Sequence, residues 1–125
     1  MLKKTILSLA IGWTFLIAVL CLYRFGDLPK IKVSGIDKYV HFTFHFVFTL
    51  LWGYYTWLQQ NRFALKKLII IASMSLGYGI AIEFLQETFT QTRHADVLDV
   101  LANFTGAVTA VLVFIWLKKD KKASI

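Results

Sequence analysis

The sequence predicts an all-α polytopic membrane protein, a four-helix transmembrane bundle in one domain over residues 1–125. Three observations predict it. Hydrophobic residues make up 58% of the chain and charged residues 17%, whereas soluble domains run nearer half and a quarter. The apolar residues gather into four runs of about 20, long enough to cross a hydrocarbon layer about 30 Å thick. The basic residues stand beside those runs, where they anchor helices to anionic headgroups.

The first span covers about residues 5–23. Lys3 and Lys4 precede it, as in a secretory signal, but the apolar run is longer than a signal core and no Ala-x-Ala site follows. It is predicted as a retained helix. Its Cys21 is the single cysteine, so no internal disulfide forms. Ala18-Val19-Leu20 lacks the small residue that precedes an acylated lipoprotein cysteine, and Cys21 is expected as a small apolar side chain. Residues 24–36 are a polar connection holding Gly26, Pro29 and Gly35, all poor helix material.

A second span, about 37–58, is rich in Phe and Trp, and a short basic loop follows. The third span covers about 68–86, a polar loop about 87–94, and the fourth span about 95–117. The tail is basic. Ser73, Gly77 and Ala81 form a small-residue stripe at spacing i, i+4, i+8, as do Ala102, Gly106 and Ala110. Small residues let transmembrane backbones approach, so the third and fourth helices are expected to pack through these stripes.

The net charge of +7 does not indicate nucleic acid, because the lysines are not interleaved with aromatics on a polar face. It indicates orientation. Lys3, Lys4, Arg62, Lys66, Lys67, Lys118, Lys119, Lys121 and Lys122, nine residues, fall on one side; Arg24, Lys30, Lys32, Lys38 and Arg93, five residues, fall on the other. That bias places both termini in the cytoplasm. The acids lie on or near the opposite, outer side, except Asp120.

Three of the four helices carry polar residues toward that outer end, on one face each, given about 100° of rotation per residue. The second offers Asp37, His41 and His45 at i, i+4, i+8. The third offers Glu83, Gln86 and Glu87, with Gly79 one turn below Glu83. The fourth offers Asp96, Asp99 and Asn103, with Gly106 continuing the stripe. The first helix has only Ser8 and Thr14 and reads as scaffold. Ionisable groups at membrane depth cost about 2.5–3.5 kcal/mol each on insertion scales, so they face one another or a wet cavity. The three faces are therefore expected to form one site. Its candidates for catalysis are Asp37, His41, Glu83 and Asp99, and for binding Gln86, Arg93, Asp96 and Asn103. Arg93 is the natural counterion, its planar fork matching a carboxylate. Asp37 and Asp96 also stand where helix N-caps stand.

His41 and His45 have the i, i+4 spacing that puts two imidazoles on one helix face. Carboxylates on other helices could complete a shell, but the motif is a bare HxxxH without a glutamate beside the first histidine, so His41 and His45 are only candidate ligands, no metal centre is assigned and no cofactor is expected. No serine-protease pattern, Walker loop or phosphatase motif ending in Arg-Pro is present.

With these residues in view, the chain resembles the VanZ-like family of small bacterial integral membrane proteins. The matching pieces are Asp37-Lys38-x-x-His41-Phe42, Glu83-x-x-Gln86, and Arg93-x-x-Asp96-x-x-Asp99-x-x-x-Asn103-x-x-Gly106. The resemblance spans about residues 36–106. It implies a multi-pass protein of the bacterial inner membrane, associated with glycopeptide (teicoplanin) resistance, and it supplies no reaction.

The function expected is action at the outer face on a cell-envelope lipid or on glycopeptide susceptibility. Membrane lipids, including a lipid-linked or anionic headgroup, are the expected partners. Two alternatives stay open. One is a non-enzymatic assembly or accessory protein whose polar cluster only locks helices together. The other is a proton or cation pathway. Whether the protein is an enzyme is undecided at this level.

Overall fold

The computed structural model describes residues 1–22, 36–60, 64–89 and 97–123. Every described element is a helix: α1 Leu2–Leu22, α2 Ile36–Gln60, α3 Leu65–Phe89 and α4 Val97–Ala123. All four expected helices are present, each with at least one boundary shifted by a few residues. Thus α3 begins at Leu65 and carries Lys66 and Lys67 within its first turn, while α4 continues past Leu117 into the basic tail.

Among the described residues three helices are long and apolar enough to cross a membrane: α1 over Leu2–Cys21, α3 over Leu65–Leu85 and α4 over Val97–Lys118. The second is not, so the expected four-helix transmembrane bundle is met in part. At 25 residues α2 has the length, but Lys38, His41, His45 and its Tyr and Trp residues lower its hydropathy. Its position explains why this is tolerated. α2 packs against all three other helices, most extensively against α4. From His41 to Leu58 only Thr43 is exposed. A helix sheathed by its neighbours need not match the apolarity of lipid.

Register follows from the pairs that meet. Lys38, His41, Phe42 and Gly53 of α2 lie against Asp99, Asn103, Gly106 and Phe114 of α4, so these two helices run parallel. His41, His45 and Gly53 lie against Glu83, Ser75 and Leu68, so α3 runs opposite. α1 touches α2 and α3, and among the described residues it makes no contact with α4. Its attachment is partly polar. The Trp13 indole donates to the Phe44 carbonyl (2.9 Å), the Trp52 indole to Thr14 Oγ1 (3.1 Å), and the Tyr78 hydroxyl to the Thr14 carbonyl (2.6 Å). Ile17, Cys21, Phe48 and Ile82 form the apolar core beneath it. Cys21 is buried in that core, as its apolar setting predicted, and as the single cysteine it forms no internal disulfide.

The distribution of polarity is inverted relative to a water-soluble bundle. Phe15, Val19, Ile69, Ile70, Met74, Ile80, Phe84, Leu101, Leu112 and Trp116 are exposed, while His41, His45, Thr49, Ser75, Glu83, Asp99 and Asn103 are buried. Apolar surface of that extent demands a partner, and lipid supplies one on every side at once.

α3 and α4 pack together, as expected, but not through the small-residue stripe of α3. Ser73, Gly77 and Ala81 are all exposed, and a Cβ added to Gly77 meets nothing within 4 Å. The stripe of α4 is used, but against α2. Gly106 lies so close to the backbone of Phe42 and Phe46 that a Cβ there would collide with the Phe42 carbonyl oxygen. Hydrocarbon is as apolar as a helix interface, so a small-residue spacing identifies a face able to pack without showing that it does.

Candidate functional site

Where α2 and α4 begin and α3 ends, four buried polar side chains converge. His41 is 3% exposed, Glu83 3%, Asp99 5% and Asn103 1%. Each sits on an inward helix face for the reason its spacing gave. His41 and His45 are one turn apart on α2, Asp99 and Asn103 one turn apart on α4, and Ser75, Gly79 and Glu83 descend one face of α3.

His41 is the hub. Its Nδ1 lies 3.1 Å from Asn103 Oδ1. A carboxamide oxygen only accepts, so Nδ1 carries the proton and donates. Nε2 then points the other way, 3.7 Å from Glu83 Oε1 and 3.6 Å from Asp99 Oδ2. Asp99 is held from outside by Lys38, whose ammonium donates to Oδ1 at 2.7 Å. The Lys38 side chain is 34% exposed against 7% for that of Asp99, so the lysine forms the rim and the aspartate the floor. Gly79 completes the arrangement. The Asn103 amide nitrogen occupies the space where a Cβ of Gly79 would stand, and His45 crowds the same point.

His45 belongs to a different level. Its Nδ1 is 2.8 Å from Ser75 Oγ, and its ring leans on Phe48 and Tyr78, with centroids 6.3 Å and 6.4 Å away. It joins α2 to α3 and does not share the point that His41 faces. The two histidines thus do not form a pair of ligands, although they lie on one helix face. Below them the buried side chains are mainly apolar, Thr49 excepted, with Phe114 and Leu68 closing over Gly53. A cleft of about 430 Å³ between α1, α2 and α3 is lined mainly by Phe48, Trp52, Ile71, Met74 and Tyr78, which suits hydrocarbon and not charge.

Of the residues singled out from sequence, His41, Glu83, Asp99 and Asn103 are brought together. Asp37 lies on α2 and Gln86 on α3, with side chains outside the described residues, and Arg93 and Asp96 lie outside the described residues altogether. Glu87 is exposed and does not join the group. Two participants were missed as site residues. Ser75 has no signal in the sequence beyond being a serine in an apolar run. Lys38 does have one: it stands three residues before His41, and that spacing shares a helix face. Among the described residues it is the cation on Asp99, the place expected for Arg93.

The arrangement offers a proton-carrying ring, two carboxylates and a rim ammonium, drawn from three helices. All of it lies within the stretch that matches a known family, although no curated protein and no solved structure matches the chain significantly. The VanZ/LLP1 family model fits residues 4–118, nearly the whole sequence, with α2, α3 and most of α1 and α4, and the chain belongs to that family.

Proposed function

We propose that the protein crosses the bacterial cytoplasmic membrane four times, α2 included, with both termini in the cytoplasm. From the outer face, the polar end of the bundle binds or chemically alters the headgroup of an envelope lipid, and glycopeptide susceptibility changes as a consequence. The observation that carries this reading is the group of His41, Glu83 and Asp99, buried at one end of a bundle whose outside is apolar. Three ionisable groups at such a place cost more than packing requires, and intramembrane ionisable residues are functional by default. Lys38 at the rim, with Arg93 from the segment before α4, supplies positive charge for an anionic headgroup. A lipid reaches such a site laterally, without leaving the bilayer.

The sheathing of α2 supports its crossing. With α1, α3 and α4 in lipid, a helix enclosed by them spans the same layer. Reporter fusions at the C-terminus are therefore expected to be active in the cytoplasm, and fusions within residues 24–36 to be active outside. An external C-terminus overturns the four-crossing arrangement.

Action on a headgroup is tested by profiling envelope lipids and lipid-linked precursors in cells with and without the gene, alongside teicoplanin susceptibility. At least one lipid or precursor class is expected to change severalfold. Unchanged profiles and unchanged susceptibility overturn the proposal.

The accessory reading has its own observation. His41–Asn103 and His45–Ser75 each tie two helices together, which is what a purely structural polar cluster does.

A further inference from the structure

One atom from each of His41, Glu83 and Asp99 lies within 4.8 Å of the other two. The separations from His41 Nε2, 3.7 Å to Glu83 Oε1 and 3.6 Å to Asp99 Oδ2, are too long for hydrogen bonds. They are close to the edge of a ligand tetrahedron. Ligands bound at about 2.0–2.1 Å around zinc stand about 3.4 Å apart. A contraction of a few tenths of an ångström brings these two edges to that length, and the third, from Glu83 to Asp99, lies within 4.8 Å.

Orientation supports the same conclusion. The Asn103 oxygen takes the Nδ1 proton, and Nε2 faces the two carboxylates, where the neutral ring presents a lone pair. A cation bound between these three atoms would be ligated by all of them. The surrounding groups are those that tune a metal centre. A histidine ligand ordinarily donates its other ring N–H to a carbonyl or carboxylate, and ligating carboxylates are themselves hydrogen-bonded. Asn103 does the first here, and Lys38 does the second on the far oxygen of Asp99. The ammonium cancels one of the two carboxylate charges, leaving a net single negative charge for a dication.

The geometry points to a divalent metal site formed by His41, Glu83 and Asp99, one ligand from each of α2, α3 and α4. One imidazole with two carboxylates suits Zn²⁺ or Mn²⁺ over Mg²⁺ or Ca²⁺, which take oxygen alone. Three protein ligands leave a position for water or for an anionic oxygen, as catalytic zinc sites do. The site goes beyond the headgroup reading and does not depend on it. The rival occupant is a proton: His41 charged on both nitrogens would, with Lys38, neutralise the two carboxylates and leave no room for a metal.

The test uses full-length protein in lipid nanodiscs, stripped with a chelator and titrated with Co²⁺, then with Zn²⁺. Saturable binding of one Co²⁺ per chain is expected, with the visible absorption of a low-coordinate ion, abolished when Zn²⁺ displaces it. Glu83→Gln and Asp99→Asn should each weaken binding at least tenfold, while Glu87→Gln, at an exposed carboxylate on the same helix, binds as the parent does. If either loss variant fails to insert, His41→Cys provides the second readout, a new sulfur-to-cobalt charge-transfer band that only a ligand position gives. Absence of saturable binding in the parent, equal affinity across the Glu83, Asp99 and Glu87 variants, or His41→Cys that binds cobalt without that band overturns the site.

Discussion

Gly106→Val is expected to eliminate most of the folded protein from the membrane, and Gly106→Ala to lower its stability by about 2–3 kcal/mol. Gly106 is buried where α4 crosses α2, and the atoms that a Cβ would meet are the carbonyl oxygen and carbon of Phe42 and the nitrogen of Phe46. These are backbone atoms, which cannot rotate aside as a flexible side chain does. The helices must separate or slide, and this pair is the most extensively packed in the bundle. Separation also pulls Asn103 from His41 and Asp99 from Lys38, since both contacts bridge the same two helices. Controls come from glycines that meet nothing. Gly12→Ala and Gly77→Ala should be neutral, or stabilise by up to about 1 kcal/mol through helix propensity. Thermal unfolding in detergent, with the yield of inserted, monodisperse protein, measures all four. Damage by Gly77→Ala equal to that of Gly106→Ala would mean that α3 packs through its small-residue stripe after all.

Asp99→Asn is expected to abolish the envelope phenotype while leaving the inserted protein at normal abundance, and Arg93→Ala to do the same. The reasoning turns on magnitudes. An interhelical hydrogen bond within a membrane protein contributes about 0.6 kcal/mol on average, so a purely structural cluster survives the loss of one. Asparagine keeps the shape of aspartate and an oxygen for Lys38, and the partly exposed Lys38 remains able to reach water. What is lost is one of the two carboxylates in the group of His41, Glu83 and Asp99. Drug susceptibility and membrane-inserted protein must be measured together for each variant. Loss of the phenotype only in proportion to loss of protein favours the accessory reading. Full activity of both variants at normal abundance removes the case for a site at these positions.

The partial agreement between expectation and structure has a physical pattern. Rotation of about 100° per residue is fixed within a helix, so the spacings alone put His41 with His45, and Asp99 with Asn103, on common faces. Depth is likewise a matter of counting along each apolar run, so Glu83 could be matched to His41 and Asp99 before any coordinates. The azimuth of one helix relative to another is not encoded in that way. His41 and His45 share a face, yet one turn of rise carries the first to Asn103, Glu83 and Asp99 and the second to Ser75.

The sequence by itself therefore determined an all-α chain of four helices, an apolar exterior and three polar faces at one end, because length, hydropathy and period are local properties. Tertiary structure alone decided which helix is innermost. That choice lets α2 carry two histidines and a lysine without the apolarity of its neighbours. It also decided that Gly106 meets α2 and that Ser73, Gly77 and Ala81 face outward. Finally, it decided that Lys38 holds Asp99. In water, the hydrophobic effect marks the buried face of each helix. In lipid, an apolar face is equally at home against a chain or a helix, and only side-chain fit between particular helices, together with the need to pair buried charge, selects one packing.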